Sequence, residues 1–93
     1  MRFLVDSRFQ SQPTPEILAL IPAEIAHGKQ FDEQGIREQL YIAADNTRAW
    51  QIFRGDAITA VQAIVGSFPL APFLATTITA LADDIPASAS STM

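Results

Sequence analysis

Ser67–Leu81 reads SFPLAPFLATTITAL, and this stretch organises the rest of the chain. Its first eight residues place Pro69 and Pro72 among phenylalanine, leucine and alanine. Proline locks φ at about −65°, so two of them three apart make a stiff elbow rather than a solvated loop. After the elbow the pattern alternates. Ile78 falls on one face and Thr77 and Thr79 on the other, the signature of a strand. Before the elbow, Ile58, Val61, Ile64 and Val65 form a helical stripe. Asp56 is a natural N-cap for that helix and Gly66 its stop. Helix, rigid apolar elbow and strand therefore form one unit.

Two further units precede it. Arg2–Phe9 alternates, with Phe3, Val5, Ser7 and Phe9 on one face and Leu4, Asp6 and Arg8 on the other. QSQPTPE breaks this strand. Thr14 then caps a helix with Pro15 at its first position, where a missing N–H costs nothing. Ile17, Ile21 and Ile25 follow at helical spacing, and Pro22 demands a kink or a restart there. The helix is expected to end near Gln34, with Gly35 as its C-cap. Arg37–Ala44 and Arg48–Phe53 alternate on either side of the turn DNT and read as a hairpin.

The order is strand, helix, strand, strand, helix, strand. That is the ferredoxin-like βαββαβ pattern: an α+β fold with a four-stranded antiparallel sheet and two helices on one face. Residues 1–82 form the single domain and residues 83–93 a flexible C-terminal tail. Val5, Leu40, Ile42, Trp50 and Ile78 are expected beneath the helices. Leu4, Tyr41, Phe53 and Thr79 are expected on the uncovered face. That face is too apolar for water, so two copies pairing sheet to sheet into an α+β barrel would cover it and leave a cleft between them.

Composition narrows the function. The 93 residues carry a net charge of −4, 48% hydrophobic and 17% charged residues, and no cysteine. An acidic chain without a Lys/Arg run disfavours nucleic acid and anionic membranes as partners. The absence of cysteine excludes disulfides and thiolate metal sites, and one histidine excludes a multi-histidine metal site within the chain. Ala57–Ala82 lacks charge, but Gly66, Pro69, Pro72 and a change of period argue for helix, turn and strand rather than a membrane span. The opening residues alternate, unlike a signal peptide, so a cytoplasmic location is expected; the high apolar share and low charge lead to the expectation of a homodimer or larger homo-oligomer.

The elbow and its strand resemble the C-terminal signature of the muconolactone Δ-isomerase family. The matching residues are Phe68, Pro69, Leu70, Pro72, Phe73, Thr79 and Leu81. The opening RFLV, the EQGIREQLYI segment and WQIF fall where that family has its start, its second strand and its third. The resemblance implies two-sheet barrels and larger rings, and a double-bond shift in a small lactone bearing a carboxylate. Such a reaction needs no metal or organic cofactor. It needs a base that can turn into an acid, a donor for the developing enolate and a cation for the carboxylate.

By that resemblance Glu24 falls on the family's helical glutamate, with His27 one turn on. The pair can pass a proton, or can be an ordinary solvated pair on a helix. Arg37, Gln39 and Tyr41 alternate along one strand face. Arg37 and Gln39 are candidates for binding substrate, and Tyr41 for donating to an enolate oxygen; the same residues also suit an ordinary polar edge strand. Phe53, Phe68 and Phe73 would supply the apolar wall. Three departures weigh against an anionic lactone: Ile42 replaces a charge, Gln39 a histidine, and Asp6 a basic residue. A non-catalytic oligomeric ligand-binding or scaffold protein of the same fold is the alternative.

Overall fold

The computed structural model describes residues 1–82; the expected tail, 83–93, lies outside the described residues. Strand β1 (Arg2–Phe9) leads to a single helical turn, α1 (Pro15–Leu18), and then to helix α2 (Ile21–Glu33). Strands β2 (Arg37–Ile42) and β3 (Arg48–Arg54) form the hairpin. Helix α3 (Ile58–Gly66), a 3-10 turn (Ala71–Phe73) and β4 (Leu74–Ala80) complete the unit. The strands lie in the order β2-β3-β1-β4, and every pairing is antiparallel. This is the expected ferredoxin-like α+β architecture. Among the described residues no helix is long and apolar enough to cross a membrane.

Local chemistry accounts for the boundaries. The Thr14 hydroxyl accepts a 3.3 Å hydrogen bond from the Ile17 N–H, with Pro15 at the first helical position. Pro22 produces a restart rather than a smooth kink: α1 closes at Leu18 and α2 opens at Ile21. At the far end Gly35 adopts φ of 73°. Its N–H donates to the Asp32 carbonyl and the Ile36 N–H to the Phe31 carbonyl, the paired bonds of a Schellman cap. In the hairpin turn Asn46 takes φ of 62°, and the Asp45 carboxylate accepts from both the N–H and the hydroxyl of Thr47. Asp56 does not cap α3. The cap residue is Ala57, which offers no side-chain acceptor.

The core lies between the sheet and the helices. Phe3, Val5, Phe53, Val61 and Phe68 form its buried cluster, and Phe31, Ile36, Ile64, Val65 and Ile78 pack around it. Burying a side chain of this size contributes about 1.5–3 kcal/mol, so these five residues dominate the stability of a small domain.

Strand β3 runs in the opposite phase to that expected from its alternation. Phe3 stands opposite Phe53, and Asp6 opposite Trp50. Phe53 is therefore under the helices, fully buried, while Trp50 lies on the uncovered face. Both of its faces carry large apolar residues, so the strand's own pattern does not choose between them; pairing with β1 does. Val5 and Ile78 fall on the helical side and Leu4, Tyr41 and Thr79 on the open side, as expected; Leu40 and Ile42 also face the helical side but, on the edge strand, remain exposed rather than covered by the helices. The isoleucine stripe of the first helical segment is the other surprise: Ile21 and Ile25 are exposed, and α2 turns Glu24, His27, Gly28 and Phe31 inward instead.

Candidate functional site

A β-bulge divides the residues expected to share one strand face. Arg37 pairs with Phe53, but Gln39 pairs with Ile52, leaving Glu38 as the extra residue. Arg37 consequently points to the helical side, and Gln39 and Tyr41 to the open side. Strict alternation would have kept all three together; one inserted residue reverses the phase after it.

On the helical side four candidates converge. Glu24 Oε1 accepts a 2.9 Å hydrogen bond from the Leu70 N–H, so the helix grips the proline elbow directly. The second carboxylate oxygen, Oε2, has no hydrogen-bond partner among the described residues. Half-burial pushes the Glu24 carboxyl above the usual carboxylate range. The Leu70 N–H, and the charges of His27 and Arg37, pull in the other direction. His27 Nε2 lies 2.7 Å from the Ser67 hydroxyl, which itself donates to the Ile64 carbonyl. Ser67 can then accept only from an Nε2–H, which leaves Nδ1 to accept the 3.1 Å bond from the Gln30 amide. The imidazole packs edge-on against Phe68 and Phe31, with centroids 4.7 and 5.4 Å away. Glu24 and His27 are thus no solvated surface pair.

Arg37 completes this cluster. Its guanidinium makes a bidentate pair with Asp32, 2.6 and 2.9 Å, and a third bond of 2.9 Å to Gln51 Oε1. It lies flat against α2 at Gly28, where a Cβ would stand 2.6 Å from Nη2. Asp32, held by Arg37, titrates below the usual carboxylate range. Asp32, Gln51, Gly28 and Ser67 were not singled out in the sequence. Asp32 and Arg37 sit on either side of the Gly35 turn, a spacing with no periodic signature.

The remaining candidates are elsewhere. Phe53 lies at the base of the core beneath Phe68, with centroids 6.5 Å apart, and cannot reach a substrate without unpacking it. Phe73 is partly exposed on the 3-10 turn. Gln39 and Tyr41 share the open face with Trp50, Leu4 and Ile52. Four of the five arginines are also there. Arg48 pairs with Asp6 at 2.6 Å and covers the Trp50 ring at 5.0 Å, and Arg2 pairs with Glu38 at 2.6 Å. Arg54 stands 3.9 Å from Glu38, and Arg8 lies farther along β1. Separately, an open groove of about 350 Å³ runs between α3 and β4, lined by Ile58, Val65, Leu74 and Ile78 with Gln62 and Thr76. It contains none of the titratable candidates.

A four-stranded antiparallel sheet backed by helices on one face defines a ferredoxin-like α+β protein, here with a carboxylate and an imidazole at the elbow on its helical side. The sequence matches the family described as muconolactone delta-isomerase over residues 1–85, and the chain belongs to that family. The fold is similar to the crystal structure of a muconolactone isomerase, with a TM-score of 0.74 at 17% identity, over 90% of this chain and 91% of that one. It is also similar to 5-chloro-2-hydroxyhydroquinone dehydrochlorinase (TftG) from Burkholderia phenoliruptrix AC1100, solved in complex with 2,5-dihydroxybenzoquinone. There the TM-score is 0.63 at 17% identity, over 88% of this chain and 94% of that one. No curated protein sequence is a significant match.

Proposed function

We propose that this chain is a muconolactone isomerase-like, cofactor-free enzyme that shifts a double bond by proton transfer in a small lactone or related carbonyl compound. It would act as a cytoplasmic homo-oligomer. The observation that carries the reading is Glu24: a carboxylate with one oxygen anchored, the other unclaimed among the described residues, and a proton affinity raised by half-burial. A carboxylate whose proton affinity is raised above the ordinary range is a better base than a surface carboxylate and can return the proton it takes. His27 stands one turn away on the same helix.

The two faces would divide the work. The proton-transfer groups stand on the helical side. The open face, with Tyr41 57% exposed beside half-buried Trp50 and Leu4, is the surface for sheet-to-sheet pairing. Tyr41 and Glu24 are on opposite sides of one protomer's sheet, so a tyrosine donor would have to come from another subunit. Arg37 is spoken for by Asp32 and Gln51, which removes the expected cation for a substrate carboxylate and favours a weakly charged substrate.

The alternative, a non-catalytic ligand-binding or scaffold protein, is favoured by one observation. The hydrogen bonds of Glu24 and His27 hold the elbow itself. Turnover of a β,γ-unsaturated lactone, followed by NMR in deuterated water, separates the two. The enzyme moves the double bond and exchanges the adjacent proton. Glu24→Gln, which keeps an acceptor for Leu70, abolishes both without loss of fold. Wild-type protein that neither isomerises nor exchanges any such lactone belongs to the alternative. Sedimentation at micromolar concentration shows little monomer under either reading; a clean monomer would end the pairing argument.

A further inference from the structure

Arg37 has an uncommon environment for a strand arginine. Its side chain is 9% exposed, yet it emerges from an edge strand. Three neighbours hold it: Asp32 on α2, which accepts two of its N–H bonds, Gln51 on β3, which accepts one, and the bare helix surface at Gly28. Gly28 is the one buried residue of α2. It lies four positions from Glu24, on the same side of the helix, where side chains one turn apart are neighbours. Its missing Cβ lets the guanidinium lie across the helix rather than bending away into solvent.

We propose that Asp32 and Gly28 are positioning residues that seat the Arg37 guanidinium beside the Glu24 carboxylate. The inference deepens the assignment of Glu24 as the proton-transfer group and rests on it, but concerns how that group is tuned. One cation acts on Glu24 through this device, with its counter-ion behind it. Arg37 stabilises its ionised form, and Asp32, by pairing with Arg37, cancels part of that stabilisation. The other elements packed here add nothing of comparable effect. Helix α3, the elbow and β4 carry no charged residue, and β3 contributes neutral Gln51. From its own helix Glu24 meets His27, which also favours the ionised form when protonated. A protein needing Arg37 for a substrate carboxylate would leave the guanidinium accessible; here it is committed to tuning its neighbour.

The test reads protonation, not turnover. In protein labelled with ¹³C at the glutamate side chains, the Glu24 carboxyl resonance is identified by its loss in Glu24→Gln and followed against pH. Arg37→Gln shifts the Glu24 midpoint upward, because a cation is lost. Asp32→Asn shifts it downward, because the cation is left unshielded. Arg37→Lys, which restores the charge without the fork, returns part of the upward shift. Opposite shifts from the two members of one ion pair are not expected of a purely structural bridge, whose two disruptions would loosen the site alike. Shifts of the same sign, or none, overturn the proposal. If Arg37→Gln fails to fold, Gly28→Ala displaces the guanidinium with the charge retained and also moves the midpoint upward; an unmoved midpoint there counts equally against it. A protein inactive on every lactone can still show both shifts, so failure of the tuning and failure of the enzyme assignment remain distinct.

Discussion

The two faces of one sheet are built from the same four strands and solve opposite problems. Beneath the helices Phe3, Val5 and Phe53 meet Val61 and Phe68 in a dry layer with no charge at its centre. On the open face, arginines and carboxylates from three strands bracket Leu4, Ile52, Trp50 and Tyr41. Ser7 enters the helical side buried and bonded to the Thr76 hydroxyl, whereas the ionisable groups stand at its rim, where Glu24, His27 and Arg37 each find partners. The difference teaches where stability and chemistry reside. The buried layer supplies folding energy, its rim holds the carboxylates of shifted proton affinity, Glu24 and Asp32, and the open face is the surface proposed for association.

Truncating one ring on each face breaks or sharpens that contrast most. Phe53→Ala removes a fully buried ring and is expected to cost about 3–5 kcal/mol, most of the stability of a domain this size. Trp50→Ala, on the open face, is expected to cost far less in the unfolding of the monomer while weakening self-association. Denaturant titration combined with sedimentation checks both. Equal losses of stability would mean that the open face is as much a core as the other.

The next effect is smaller and concerns the elbow at the rim. Replacing Pro69 and Pro72 together by glycine loosens the unfolded chain and is expected to cost about 1–2 kcal/mol, at roughly 0.4–1 kcal/mol per proline. The bond from Leu70 to Glu24 should weaken with it. A melting temperature and oligomer size identical to wild type would show that the elbow does not set the geometry of the rim.

The smallest effect is in the pH dependence, and the rim contributes with both signs. Asp32 and, on the open face, Asp6 titrate below the ordinary value of 3.8 because arginines hold them. Their contributions are complete above that value and are lost as pH falls below it. Glu24 titrates above its ordinary value of 4.5 because of burial, so its contribution is complete below 4.5 and is lost as pH rises through the folded value. Stability should therefore fall at the acid end, and Glu24→Gln should remove a second, shallower decline that begins above pH 4.5. Chemical denaturation across this range reads both slopes. A profile unchanged by Glu24→Gln would place that carboxyl in solvent.

Much of the fold was legible because it is written in local chemistry. Thr14–Pro15 starts a helix, Gly35 ends one, Asp45–Asn46 turns a hairpin, and Pro69 and Pro72 stiffen an elbow. Each feature needs only its neighbours in sequence, and together they give the order of elements and the ferredoxin-like class. Glu24 and His27 were readable as a pair because helical spacing places them side by side.

What the strands did with that order was decided in three dimensions. Strand β3 has apolar residues on both faces, so only its pairing with β1 puts Phe53 inside and Trp50 outside. The bulge at Glu38 sends Arg37 to one side and Gln39 and Tyr41 to the other, because an extra residue shifts every later side chain by half a period. Asp32, Gly28 and Gln51 gain their meaning only when the β2 arginine folds back over α2. The sequence by itself determined the elements and their order, since caps, turns and periodicity act over a few residues. Tertiary structure alone decided which face each side chain serves, since that depends on register between strands far apart in the chain.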